Sequence, residues 1–400
     1  MPRVVTMKVS TQPTGLVRVA FCALLWIFAI VAGSADSSKV NLVRAPDGGI
    51  QPQAAVDARG MVHLIYFKGK PAGGDIFYVR REPGGESFSA PIRVNRRPAS
   101  AIATGTIRGA QLAVGRNGRV HVAWMGGEGA ARVTIDGKEV TPMLYARLND
   151  AGTAFETERN VITWAAGLDG GGSVAADSDG NVYVIWHASP PGNEKGEAGW
   201  AVFVAHSTDE GRTFKREARA NPKPTGACGC CGMRAFADSR GTLYVLYRTA
   251  NEISRDMALL VSRDHAATFE LETVNRWMIK GCPMSSCAFA QRGPGVVAAT
   301  EQEGQVYFNL IEPESLNLSG PAYAPGTDKR RHPAVAANSL GDVLLAWTEG
   351  TAWEKGGALA WQLFDQNGKA TAEKGRVDGL PVWSLPTAFT GGDGSFVIVY

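Results

Sequence analysis

One short signature recurs along the entire chain and restricts what it can fold into. Turns that end in glycine and lead into an apolar strand appear as DARG-MVHLIYF, GRNG-RVHVAWM, DSDG-NVYVIWH, DSRG-TLYVLYR, NSLG-DVLLAWT and GGDG-SFVIVY, with a weaker copy, RGPG-VVAATE, between the fourth and fifth. The turn glycines are Gly60, Gly118, Gly180, Gly241, Gly295, Gly341 and Gly394, so successive copies lie 46 to 62 residues apart. Each interval has room for one four-stranded antiparallel sheet. The strands after the glycines are apolar on both faces, as in Val62, Leu64 and Tyr66 against Ile65 and Phe67. A sheet buried on both sides must be sandwiched between neighbours, and radial packing of blades does this without long exposed edges. The expectation is an all-β fold, a six- or seven-bladed β-propeller of four-stranded antiparallel blades. A β-sandwich is the rival, but it does not predict such a period.

The number of blades depends on the ends of the chain. Six complete sets start near Gln53, Gly109, Gly171, Cys228, Cys282 and His332, whereas Leu385 to Tyr400 supplies only a hairpin. The segment Lys39 to Arg44 could complete that hairpin and close the ring.

Ahead of the repeats, Arg3, Lys8 and Arg18 precede an apolar run from Val19 to Val31 and the small residues Ala32 to Ala35. That layout predicts a secretory signal peptide over residues 1–35, leaving 36–400 as one propeller domain, secreted or periplasmic, with no transmembrane segment in the mature chain. The leader carries three of the 41 basic residues and none of the 38 acidic ones, so the mature chain has 41 − 3 = 38 basic against 38 acidic residues. A neutral chain lacks the basic field that holds a phosphate backbone, which argues against nucleic-acid binding.

A second turn recurs between the third and fourth strands of several repeats. Ser207, Asp209, Gly211, Thr213 and Phe214 fit the pattern S-x-D-x-G-x-T-F; Leu148 to Phe155 keeps Asp150, Gly152 and Phe155, and Ser262 to Phe269 keeps Ser262, Asp264, Thr268 and Phe269. This pattern resembles the Asp box of the bacterial neuraminidase (BNR) repeat, so the chain is similar to sialidase-like propellers over roughly residues 50–350. An Asp box is a folding device whose carboxylate accepts local backbone hydrogen bonds. The resemblance implies six blades, three arginines that grip a substrate carboxylate, a tyrosine nucleophile paired with a glutamate, and an aspartate acid/base. In the place of the first arginine, within Gly49 to Pro52, this chain has Gln51; Arg44 is a candidate for a displaced substitute, although it falls before the strand.

Propeller geometry locates a candidate site independently of the resemblance. The first strand of each blade begins, and the second ends, at one mouth of the central channel. Seven positions after the turn glycine stand Phe67, Met125, His187, Arg248 and Thr348, and the weak repeat contributes Glu301 or Gln302. His187, Arg248 and Glu301 thus come from consecutive blades, with Arg234 on the strand before Arg248 and Arg255-Asp256 in the next loop. Converging guanidinium groups suit a carboxylate, sulfate or phosphate. The site expected is therefore Glu301 as the catalytic group with Arg234, Arg248, Arg255, His187 and Asp256 binding substrate; an Arg248–Glu301 ion pair between blades is the structural alternative. His63, His121 and His206 lie within strands and read as packed or solvated residues rather than ligands. Trp353 and Trp361 could stack on sugars or cover blade ends.

Five cysteines remain in the mature chain: Cys228, Cys230, Cys231, Cys282 and Cys287. They open adjacent blades, so a disulfide between the groups, such as Cys231–Cys282, could staple the channel mouth. A soft-metal site using these thiolates with Met233 and Met284 is the alternative; no cofactor or metal is otherwise indicated. The function expected is binding of an acidic glycan or glycoconjugate, with sialidase-type hydrolysis as the further step. A non-catalytic interaction propeller, presenting its loops to a protein or cell-envelope partner, is the competing class.

Overall fold

In four of the glycine-terminated turns the side chain of the residue that opens the turn accepts hydrogen bonds from the backbone that follows. Asp57 Oδ1 takes the N–H groups of Arg59 and Met61, both at 2.9 Å, and Asp177, Asp238 and Asn338 repeat the arrangement in other blades. The glycine then carries the positive φ that closes the hairpin, +81° at Gly60 and again at Gly241. In the weak copy the turn glycine is Gly293, with φ +53°; Gly295 already begins the second strand, paired with Arg292.

The computed structural model describes residues 6–7, 39–190, 192–193 and 195–400. The segment 1–35, read as a signal peptide, lies almost wholly outside these. Among the described residues there are seven blades around a central channel. Blade 1 comprises Ile50–Val56, Val62–Lys70, Gly73–Arg81 and Ile92–Arg93, and blade 2 Gln111–Val114, Val120–Met125, Met143–Arg147 and Arg159–Asn160. Blade 3 runs from Gly172–Ala176 through Val182–Ala188 and Ala201–Ser207 to Ala218–Arg219. Blade 4 has Arg234–Ala237, Leu243–Arg248, Met257–Ser262 and Glu270–Asn275; blade 5 has Cys287–Arg292, Gly295–Gln302, Gln305–Ile311 and Ala322–Tyr323. Blade 6 is Arg330–Ala337, Val343–Glu349, Gly357–Phe364 and Ala370–Leu380.

Blade 7 decides the count in favour of seven and against the six implied by the resemblance. Its hairpin, Thr387–Thr390 and Phe396–Val399, receives Val40–Val43 as a third, parallel strand, in register Val40 to Phe396 through Val43 to Val399. Bonds of Ala45 N–H to the Tyr400 carbonyl (2.9 Å) and Tyr400 N–H to the Val43 carbonyl (3.1 Å) continue the seam. Arg44 is used here rather than at a ligand site: its guanidinium lies 4.1 Å from the centre of the Tyr400 ring and donates to the Gly379 carbonyl.

The second strand of every blade is the buried spine. Val62–Phe67 and Val120–Met125 are buried at every position, because each sheet packs a neighbour on both faces. The strand histidines are packed as expected: His63 and His121 bond the hydroxyls of Tyr78 and Tyr145 at 2.8 and 2.7 Å, and His206 stacks on Tyr183. At Ser207–Phe214 the Asp209 carboxylate takes the Thr213 N–H (2.8 Å) and hydroxyl (2.7 Å), while Ser207 Oγ accepts from Gly211 N–H. Asp264 binds Thr268 in the same way. The turn at 148–155 differs: Asn149 accepts from the Thr153 N–H, and Asp150 turns out to Arg119 at 2.5 Å. No helix among the described residues is long and apolar enough to cross a membrane.

Candidate functional site

Innermost strands rich in alanine and valine leave an open axis, a cavity of about 470 Å³. Arg234 is the one arginine among its lining residues, and its Nη1 donates to Gln53 Oε1 at 2.8 Å and to Gln111 Oε1, which line the cavity too. Among the described residues the walls contain no carboxylate, and burial pushes the Arg234 guanidinium below its ordinary value.

The mouth of this channel is crossed by the link between blades 1 and 2. Arg108 ties the link to Asp169 at 2.8 Å, and Gln51 Nε2 donates to the Ala103 carbonyl (2.6 Å) and to that of Trp383 (2.8 Å). Thr106 thereby reaches across to His332, Oγ1 to Nε2 at 3.4 Å. Gln51, Thr106, Met284, His332 and Trp383 all have φ between +50° and +63°, a conformation costing about 1–3 kcal/mol per residue. The inner strands of blades 1 and 6 bulge at this level, between Ile50 and Gln53 and between Arg331 and Ala334.

Outside the Thr106–His332 contact lies a second, smaller pocket of about 40 Å³, lined by Thr106, Met284, Arg331, Trp353, Lys355 and Trp383 among others. Arg331 Nη2 donates to the carbonyls of Pro283 (2.8 Å) and Met284 (2.9 Å), and its Nε faces Glu301 Oε1 at 3.5 Å. Trp353 is 55% exposed and stands edge-on to Trp383, ring centres 4.6 Å apart.

Glu301 sits beneath, buried, and lines neither cavity. Its Oε2 accepts the His332 N–H at 2.7 Å, and burial holds its carboxyl above the ordinary range despite Arg331. His332 is held neutral, pushed down to about 3 by burial and then by Arg331, and its Nδ1 is 3.4 Å from Ser286 Oγ.

The remaining predicted residues are drawn into the scaffold. Arg248 is 1% exposed; it donates to Ser285 Oγ (2.6 Å), to the Arg255 carbonyl (2.7 Å) and to the Glu301 carbonyl, and lies over the Trp277 ring. The expected carboxylate pair is therefore replaced by a bond to the Glu301 backbone, and Arg248 is closed to any ligand from solvent. Arg255 pairs with Glu197 at 3.6 Å, and Asp256 accepts the Trp277 N–H at 2.8 Å. His187, lowered to about 4 by burial, accepts from Gly170 N–H and stacks on Trp200. Trp361 packs on Gly375, half-buried, and only Trp353 of the two tryptophans stands out to solvent.

The cysteines do form a staple, but it is Cys230–Cys282; the pairing Cys231–Cys282 is not formed. Cys228, Cys231 and Cys287 are free and buried. Burial opposes ionisation of Cys231, yet hydrogen bonds from Cys228 and Ser285 and the nearby Arg248 outweigh it and bring the thiol down to about 7.

Reading the sequence alone missed Arg331, His332, Thr106 and Trp383. The run Arg330-Arg331-His332 before Pro333 was the available signal, but the bulge that turns Arg331 to the mouth has no sequence mark.

Neither the known protein families nor the characterised proteins compared with the sequence match it. Solved structures do match in shape. A structure of NanB with optactamide superimposes with a TM-score of 0.51 over 85% of this chain and 70% of that one, at 10% identity. In fold, the chain is a sialidase-like β-propeller. The NanB sialidase from Streptococcus pneumoniae in a second complex gives a TM-score of 0.49, 11% identity and coverage of 87% and 70%. The polysaccharide lyase Uly1 gives 0.46, 12% identity and coverage of 80% and 78%. At these identities the sialidase-like propeller is a likeness of architecture, and the roles of individual residues have to be argued from this chain's own site.

Proposed function

We propose that this protein is an exported propeller that binds an acidic sugar at the channel mouth. The observation that carries this reading is the small pocket between Arg331 and Lys355 beside the exposed ring of Trp353. A volume of about 40 Å³ accepts a carboxylate group but not a pyranose ring. The acid group enters and meets the guanidinium, while the sugar ring lies outside against the indole. Glu301 positions Arg331 and His332 from below; it is not a group that meets the substrate. Export through a leader at residues 1–35 is part of the reading, and the Cys230–Cys282 disulfide supports it.

The test is calorimetric titration of the purified protein with N-acetylneuraminate, glucuronate and uncharged glucose, repeated with Arg331→Ala and Trp353→Ala. Binding of the acids but not glucose, weakened about tenfold or more in each variant, is expected. Equal binding of glucose, or unchanged affinity in Arg331→Ala, overturns the reading. Release of fluorophore from a synthetic α-sialoside, lost in Glu301→Gln, would instead make Glu301 a catalytic residue.

A further inference from the structure

Away from the sugar pocket, the channel mouth of blades 3 to 5 holds a group of sulfur atoms that the binding site does not use. The Sγ atoms of Cys228, Cys230 and Cys231 lie within 4.8 Å of one another, with Cys228 and Cys230 at 3.4 Å. The sequence C-G-C-C brings them together: Cys231 N–H bonds the Cys228 carbonyl at 3.3 Å, and Gly229 fits the turn because a Cβ there would meet the Trp200 ring. All three are buried, walled by Ala250 and Met284. On one side Ser285 Oγ donates to Cys231 Sγ at 3.5 Å and itself accepts from Arg248 Nε, which places a fixed positive charge one hydrogen bond away.

One of the three sulfurs is withheld, because Cys230 is bonded to Cys282, which is exposed. We propose that reduction of Cys230–Cys282 converts Cys228, Cys230 and Cys231 into a buried three-thiolate site for monovalent copper. A dithiol supplies the two electrons and two protons that turn the disulfide into two thiols, itself closing to a cyclic disulfide. Copper(I) then displaces one proton from each of the three clustered thiols and forms three Cu–S bonds.

The choice of metal follows from the donor set. Three buried thiolates suit a soft monovalent ion, whereas structural zinc takes four ligands in a closed tetrahedron. The fourth cysteine, Cys282, is an exposed residue outside the cluster of three, and the nearby His187 has its Nε2 occupied by Gly170 N–H at 3.2 Å. With metal–sulfur bonds of about 2.3 Å, three sulfurs around one ion stand about 4 Å apart; here Cys228 and Cys230 are 3.4 Å apart and all three sulfurs lie within 4.8 Å of one another, which is compatible with that spacing. The Arg248 guanidinium offsets part of the negative charge that three thiolates and one copper(I) leave behind.

The experiment is an anaerobic titration of the purified protein with copper(I) in competition with bicinchoninate, before and after reduction with a phosphine that is then removed. Far-UV circular dichroism checks that each sample is folded. One copper per reduced chain is expected, with X-ray absorption showing three sulfur neighbours. Uptake should be weaker by more than about 100-fold in the disulfide form and in Cys228→Ser and Cys231→Ser, beyond the 10–100-fold that loss of an outer-shell partner costs. Cys287→Ser, whose thiol faces the Gly232 and Leu246 carbonyls, should bind like the unaltered protein. Equal uptake by disulfide and reduced forms, unchanged binding in Cys231→Ser, or preference for zinc with four sulfurs overturns the proposal. The comparison of the two redox forms needs no substitution, so a variant that fails to fold leaves the test intact.

Discussion

Glu217 offers the sharpest quantitative test of how this propeller is held together. It is 3% exposed, and its Oε1 accepts three successive backbone N–H groups, from Thr163 (2.8 Å), Trp164 (2.8 Å) and Ala165 (2.9 Å), while Oε2 takes the Thr163 hydroxyl. The segment so clamped leads from blade 2 into blade 3. In Glu217→Ala the N–H of fully buried Ala165 loses its partner, at about 2 kcal/mol; that of half-buried Trp164 costs about 1 kcal/mol, and exposed Thr163 is rehydrated at little cost. Loss of the buried side-chain methylenes adds about 1 kcal/mol, so a total near 4 kcal/mol is expected. Glu217→Gln keeps an oxygen where Oε1 stands but loses the charge and the acceptor for the exposed Thr163 hydroxyl, for about 1 kcal/mol. Burial alone would raise the Glu217 carboxyl, but the bonds from Ala165, Thr163 and Trp164 outweigh it and hold it below its ordinary value. A carboxyl depressed by folding contributes stability that is fully present above its unfolded value, about 4.5, and is lost as pH falls through the lower folded value. The gap between the unaltered protein and Glu217→Gln should therefore close on acidification below about pH 4.5. Denaturant unfolding of the three proteins between pH 7 and pH 3 measures both quantities. A Glu217→Ala cost under about 1 kcal/mol, or a gap that does not change with pH, would refute the reasoning.

Other outcomes follow from the same geometry. Arg248→Lys should lose about 3 kcal/mol in denaturant unfolding, since one ammonium cannot reach Ser285 and two carbonyls together, while acidic-sugar affinity stays unchanged. Gly211→Ala should lower stability by 2 kcal/mol or about that, read from the same unfolding curves, because φ is +76° and a Cβ would run into the Tyr145 hydroxyl. Asp209 is held at about 2, its burial outweighed by bonds from Thr213 and Ser207, so Asp209→Ala should cost about 1 kcal/mol near neutrality after allowance for solvent screening. That difference should disappear as pH falls from the ordinary aspartate value toward 2, visible as converging melting temperatures.

The sequence carries the fold because the fold is written in local terms. An aspartate or asparagine that opens a turn, a glycine with positive φ and an apolar strand after it are decisions made within about ten residues, and the period follows from repeating them. The half-set at Leu385 to Tyr400 with a spare strand at Lys39 to Arg44 even made seven blades legible, since an incomplete hairpin needs a partner. At the turn 148–155 the same logic slipped by one place, where Asn149 rather than Asp150 accepts the backbone bond and a cluster of arginines draws Asp150 outward.

What the tertiary structure decided is which polar side chains face a cavity and which are consumed in holding it. Arg248, Arg255, His187 and Asp256, expected to meet a ligand, line neither cavity, and bonds to carbonyls, amides and neighbouring side chains occupy them. Arg331, next to a bulge, lines the small pocket while bonded to the Pro283 and Met284 carbonyls, Thr106 crosses from another blade, and Cys230 rather than Cys231 meets Cys282. Each of these outcomes turns on a displacement of one residue or a contact between positions more than fifty residues apart. A strand's alternation reverses with a single-residue shift, and contacts between blades depend on how the closed ring brings distant loops together, so neither is fixed by the residues adjacent in the chain.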